Sequence, residues 1–126
     1  MAKRQQNPAL AALRKAAKGL VYTSETDAPL EAFLWEDGGR LTRKHLLELA
    51  GAEAGTGVEG SSLDEFFLAV PPEDKGGFDK LAAAIGEQLS GVKVYKIGDE
   101  AEKEAYIVGK TSDGRWGGLK TTVVET

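Results

Sequence analysis

Apolar positions recur at helical spacing in the first part of the chain and alternate at strand spacing in the last third. Asn7-Pro8 pairs an N-cap residue with proline at the first helical position. Leu10, Leu13 and Ala17 follow at helical intervals until Gly19, which predicts a first helix from Pro8 to about Lys18. Leu20 to Tyr22 is short and apolar, "TSETDAP" supplies turn chemistry, and "LEAFLWE" alternates as a strand. Its two faces, Leu30, Ala32 and Leu34 on one side and Phe33 and Trp35 on the other, are both apolar. Thr42 is placed to cap a short helix carrying Leu46, Leu47 and Leu49, which Gly51 ends. "GAEAGTGVEGSS" reads as loop, with a brief strand starting at Val58.

Ser62 with Glu65 three residues on makes a capping box ahead of Phe66, Phe67 and Val70, and Pro71-Pro72 terminates that helix. After "EDKGG", Phe78, Leu81, Ile85 and Leu89 mark a fourth helix closed by Gly91. Three strands follow, "VKVYKIG", "KEAYIVGK" and "WGGLKTTVVE", the last two joined through "TSDG", whose Asp-Gly pair favours a hairpin. Strands apolar on both faces predict a sheet covered by helices on both sides. The expected fold is therefore α+β, a three-layer α/β/α sandwich with a mixed, largely antiparallel sheet. Residues 1–126 form one domain, and residues 1–7 are expected to be flexible.

Composition narrows the function. The chain of 126 residues has no cysteine, which removes disulfides, thiolate nucleophiles and sulfur metal sites together and fits a reducing compartment. "MAKRQQNPALAALRKAAKG" lacks the apolar centre of a signal peptide and no run approaches a membrane span, so a cytoplasmic protein without a membrane partner is expected. Charge is uneven: Lys3, Arg4, Arg14, Lys15 and Lys18 precede the first acid, Glu25, and the remainder carries the other 11 of the 16 bases against all 20 acids. A body that acidic repels nucleic-acid phosphate and favours a basic partner surface, although on charge alone ordinary solubility is the better account.

No catalytic constellation assembles. "VGKTS" has the last residues of a phosphate-binding loop, but Glu104 stands where the earlier glycine is required, so a strand end is the better reading. His45 is the only histidine and sits beside leucines, which points to a surface or packing role. "DEAEKE" lacks the alternating ligands and central glycine of a calcium loop. Trp35 reads as core, while Trp116, beside Gly117-Gly118, is a candidate for stacking on a ligand. Two features remain. "TSETDAP" puts Glu25 on a loop tip, either as a solvated turn carboxylate or as a working group, with Ser24 or Asp27 bonding the backbone. "KTTVVET" ends in Glu125 and Thr126 after a β-branched run, either as a frayed strand end or as a second working group.

The stretches "GLVYTSETDAPLEAFLWE", "VYKIGDEAEKEAYIVGKTSDG" and "GLKTTVVET" resemble the nuclease A inhibitor family, over residues from about Leu10 to Thr126. The resemblance implies a three-layer α/β/α sandwich of the PR-1-like kind; without a catalytic constellation no enzyme is expected, and nothing in the sequence pattern demands more than a monomer. The resemblance implies as partner a sugar-non-specific nuclease of the ββα-metal type, which uses a histidine general base and one divalent ion, usually magnesium. In that family the C-terminal carboxylate ligates the nuclease's ion, and the equivalent here is Thr126. A turn glutamate faces the catalytic histidine, and Glu25 matches it. No cofactor of the chain's own is implied, only the divalent ion bridging to the nuclease.

A third family contact comes from an Asp-Trp pair after the third helix. Here "PPEDKGG" keeps the acid as Asp74 and has Lys75 in the aromatic position. An aromatic anchor in an interface is worth about 2 kcal/mol or more. The candidate partner-binding residues are thus Ser24, Glu25, Asp74, Trp116, Glu125 and Thr126. An interaction module on the same fold with a different partner is the alternative, motivated by Lys75.

Overall fold

The computed structural model describes residues 8–35 and 39–125. The expectations for residues 1–7, for Asn7 as a cap and for Thr126 fall outside the described residues. In order, the elements are α1 (Pro8–Ala17), β1 (Val21–Thr23), β2 (Asp27–Pro29), β3 (Glu31–Leu34), α2 (Arg43–Ala50), β4 (Val58–Ser61), α3 (Leu63–Phe67), α4 (Lys75–Gln88), β5 (Ser90–Ile97), β6 (Glu102–Lys110) and β7 (Trp116–Val124). A 3-10 turn, Pro72–Asp74, precedes α4. The protein is α+β, with a five-stranded sheet in the order β3-β7-β6-β5-β4 and a separate two-stranded pair, β1-β2.

Every strand pairing among the described residues is antiparallel, where the sequence reading expects a mixed, largely antiparallel sheet. The physical reason lies in the connections. β5, β6 and β7 follow one another through short turns, which can only reverse the chain. The edge strands β3 and β4 then add antiparallel to β7 and β5.

Side-chain alternation divides the core between the two faces of this sheet. Val94, Ala105, Ile107, Leu119 and Val123 belong to one cluster with Leu13 and Ala17 of α1, Phe66 of α3, and Phe78, Leu81 and Ile85 of α4. Ile97, Tyr106 and Val108 belong to the other, with Leu46 and Leu47 of α2. β6 is consequently buried on both faces from Ala105 through Gly109. That continuous burial is what a strand covered on both sides requires.

The caps form as the sequence predicts. Thr42 accepts from the His45 amide at 3.1 Å, and Gly51, at φ 76°, ends α2 in the left-handed region. Ser62 and Glu65 bond each other's backbone reciprocally. Three helix boundaries differ from expectation. α3 stops at Phe67, before Val70, and α4 begins at Lys75, taking Gly76-Gly77 into its first turn. The α1–β1 connection packs closely there: a Cβ on Gly77 would lie 2.7 Å from Leu20 Cδ2. At the other end Leu89 is already extended and Ser90 opens β5, so α4 closes before Gly91.

"TSETDAP" is more than a turn. Its flanks pair as β1 and β2, with Val21 opposite Pro29 and Thr23 opposite Asp27. Tyr22 anchors this hairpin: its ring stacks on Phe66 at 4.2 Å and its hydroxyl donates to the Phe66 carbonyl at 2.8 Å.

Candidate protein-binding site

β7 has neighbours on both sides, but not the same neighbours along its length. Residues 117–120 pair with β3, and beyond Lys120 only β6 continues as a strand partner. The β1–β2 hairpin occupies the vacated flank. Thr121 Oγ1 donates to the Ala28 carbonyl at 3.3 Å, and the Val124 amide donates to Ser24 Oγ at 3.0 Å. The Glu25 amide donates to the Val124 carbonyl at 3.3 Å. The Ser24–Glu25 turn is therefore hydrogen-bonded to the last residue of a strand a hundred residues later. Unpaired backbone groups are costly, so these bonds hold the strand end that an open edge would leave to fray.

The turn is itself internally braced. The Ser24 amide donates to the Thr26 carbonyl at 2.9 Å. Glu25 is exposed at its tip. On the other flank, the Glu125 amide donates to the Ala101 carbonyl at 2.9 Å. The Glu125 carboxylate meets Lys96 Nζ at 2.6 Å and Lys103 Nζ at 3.7 Å. The hydrogen bond from Lys96 holds the Glu125 carboxyl below its ordinary range, against a smaller desolvation effect in the opposite direction. Burial first, and the Glu125 charge second, push the Tyr22 hydroxyl up to about 12. Ser24, Glu25 and Glu125 are thus brought to one end of the sheet.

The other candidate residues lie elsewhere. Trp116 opens β7, at the opposite end of the strand from Glu125. Its indole Nε1 donates to the Gly39 carbonyl at 2.5 Å, and the Lys110 ammonium lies 4.7 Å from its ring. It packs with Phe33, Trp35 and Tyr106 on the α2 side of the sheet. Asp74 is half-buried at the junction of the 3-10 turn and α4, and Lys75 beside it is exposed. An aromatic chain leads from the hairpin toward this junction: Tyr22 on Phe66, Phe66 beside Phe67, and Phe67 edge-on to Phe78.

The chemistry set aside at the sequence level finds ordinary structural uses. His45 Nδ1 lies 2.9 Å from the Arg40 carbonyl at the head of α2. Asp99 Oδ1 accepts from the Gly57 amide at 2.9 Å, tying β4 to the β5–β6 turn. Thr111, after the strand-terminal Gly109-Lys110, is buried and organises the β6–β7 turn with Asp113 and Arg115. Among the described residues, no group of three or more His, Cys, Asp or Glu could hold a metal ion, and no helix is long and apolar enough to cross a membrane.

Lys96 and Lys103 are absent from the candidates drawn from sequence. Their signal is faint but real: each sits on the core-facing row of its strand, two residues from Val94 and Ala105 respectively. A base on an otherwise apolar row calls for a partner. The sequence alone does not reveal that both find the same one.

The family model for nuclease A inhibitor-like protein matches residues 7–126. The chain belongs to the nuclease A inhibitor-like family. A comparison with curated proteins returns no match. Membership in a nuclease A inhibitor-like family gives this chain a coarse function, inhibition of a nuclease, and a nuclease as its partner. An inhibitor's role is non-enzymatic, which accords with an arrangement of residues that carries charge and backbone order to one exposed end.

Proposed function

We propose that this nuclease A inhibitor-like chain blocks the active site of a sugar-non-specific, metal-dependent nuclease of the ββα-metal type. Glu25 and the C-terminal carboxylate of Thr126 are the working groups. The observation that carries the reading is the bonding of the Ser24–Glu25 turn to Val124. It makes one surface out of the two segments that the sequence singles out. A magnesium ion is a hard cation that prefers oxygen ligands, so a carboxylate takes the place of a scissile phosphate oxygen. The ion belongs to the nuclease and bridges to the inhibitor only in the complex. Glu25 pairs with the nuclease's histidine once that histidine is protonated, forming a charge-assisted hydrogen bond. The inhibitor thereby imitates bound substrate charge and offers no phosphodiester to cut.

The reading extends to a three-layer, PR-1-like fold, which the placement of α2 opposite α1, α3 and α4 supports. It also takes the protein as a cytoplasmic monomer that protects its host. The acidic body suits a basic nuclease surface by steering encounter. Asp74 contributes at the edge of the interface. A second reading, an interaction module with another partner, is favoured by one observation: exposed Lys75 at the head of α4.

The two readings separate in a titration of a magnesium-dependent ββα-metal nuclease with the untagged chain, following plasmid hydrolysis. Inhibition is expected to break at one equivalent. Undiminished hydrolysis in large molar excess, across several such nucleases, would leave the interaction-module reading in its place.

A further inference from the structure

We infer that Lys96, Lys103 and Glu125 form a clamp that positions the C-terminal end of the chain, with Glu125 acting as a positioning residue rather than as a contact to the partner. The partner here is the nuclease of the preceding reading, on which this inference rests for its purpose.

The geometry converges from three strands. Lys96 comes from β5, Lys103 from β6, and Glu125 directly follows β7. Both carboxylate oxygens are engaged, Oε2 by Lys96 at 2.6 Å and Oε1 by Lys103 at 3.7 Å. The two lysine side chains are only 20% and 21% exposed, against 41% for Glu125, so each base is given over largely to this contact. The backbone is fixed as well, by the Glu125 amide on the Ala101 carbonyl and the Val124 carbonyl on the Glu25 amide. A residue held by its side chain and its main chain together has little freedom to reorient toward a partner.

Ion pairs this exposed add little to global stability, because solvent screens them and ordering two long side chains costs entropy. Their effect is local. They fix the direction in which the chain leaves the sheet, one residue before the group that the proposed mechanism employs. Ordering removed before binding is ordering that the complex no longer has to supply.

The test uses the full, untagged chain. In the free protein, hydrogen exchange at the Glu125 amide is predicted to accelerate roughly three- to tenfold in Lys96→Met, with the unfolding midpoint unmoved and Lys96→Arg restoring protection. In complex with the nuclease, Lys96→Met and Glu125→Gln should each raise the dissociation rate by a similar factor, and the double variant should be no worse than either. Unchanged exchange in Lys96→Met would overturn the clamp. So would a Glu125→Gln defect that Lys96→Met neither shares nor masks, which would make Glu125 a direct contact. If the wild-type chain binds no nuclease, the proposed function fails and the clamp is decided by exchange alone.

Discussion

At its Trp116 end, β7 is held by packing. Phe33, Trp35, Tyr106 and Trp116 crowd the α2 side of the sheet, with Phe33 and Trp35 centroids 4.6 Å apart and Phe33 edge-on to Tyr106 at 5.6 Å. β3 runs alongside, and a tight turn closes on Asp113 and Arg115, whose carboxylate and guanidinium meet at 2.6 Å. At its Glu125 end the same strand is held by hydrogen bonds and charge: Ser24 Oγ, the Glu25 amide, Ala101 and two lysines. The comparison teaches that one strand can be held in two physically different ways. Aromatic burial supplies stability and leaves little polar surface to offer a partner. The polar end exposes its acids and keeps its backbone order through Ser24 and the Glu25 amide of a distant hairpin and through the Ala101 carbonyl.

Between the two ends sits Gly118, at φ 156°, where a Cβ would lie 1.7 Å from the Ile107 carbonyl oxygen. Only glycine fits that approach of β7 to β6. The position lies within the aromatic half of the strand, opposite Phe33 of β3, and admits no side chain.

Substitutions at the two ends should separate binding from stability. Glu25→Ala is expected to weaken the nuclease complex by about 2–5 kcal/mol, with a smaller effect on the unfolding midpoint. Trp116→Ala should do the reverse. It should cost about 3–4 kcal/mol in denaturant unfolding, the lower part of the range for an aromatic truncation because the ring is only half-buried, with inhibition retained by the folded fraction. If Trp116→Ala instead weakened the complex at unchanged stability, the division between the two ends would be wrong. Ser24→Ala sits at the junction of the two effects. It strips the acceptor from the Val124 amide, so about 1–2 kcal/mol of stability should be lost, accompanied by a weaker complex. A stable variant with unimpaired inhibition would mean that the turn does not need its tether.

The smallest effect is the pH dependence. Glu125 is held below its ordinary value of 4.5, so its contribution is complete above that value and fades as pH falls through the lower folded value. Asp113 follows the same sign at the other end, lowered first by its hydrogen bond from Arg115 and then by that from Thr111. Glu125→Gln should remove only the first share, flattening but not abolishing the acid arm in unfolding curves. On the alkaline side Tyr22 reverses the sign: the neutral hydroxyl is favoured in the fold, so stability is lost as pH rises from 10 through about 12. Tyr22→Phe should blunt that arm.

Much of the scaffold is legible in local residue patterns because its determinants are local. The capping box of Ser62 and Glu65, the Thr42 cap, the Gly51 stop and the Asp113-Gly114 turn each lie within a few residues of what they control. The division of the core between two sheet faces follows from strands apolar on both sides. The β1–β2 hairpin escapes that reading because three-residue strands are too short to alternate, and its docking depends on β3 beginning only at Glu31, opposite Lys120. In the first turn of α4, Gly77 lies under the Leu20 side chain, a contact between distant segments. In the candidate site, Glu25 and the chain end stand out by resemblance and by elimination. The convergence of Lys96 and Lys103 on Glu125 depends on register across three strands, which no single segment encodes.

The central claim is that a carboxylate at the end of this chain meets the nuclease's metal ion. Its most direct test is the dissociation constant of the complex with the natural C-terminus and with an amidated one, each measured in magnesium and after chelation. The account predicts tight, magnesium-dependent binding for the free acid, with amidation weakening it by at least about a hundredfold and removing most of the magnesium dependence. Equal affinity for the two termini in magnesium would contradict it.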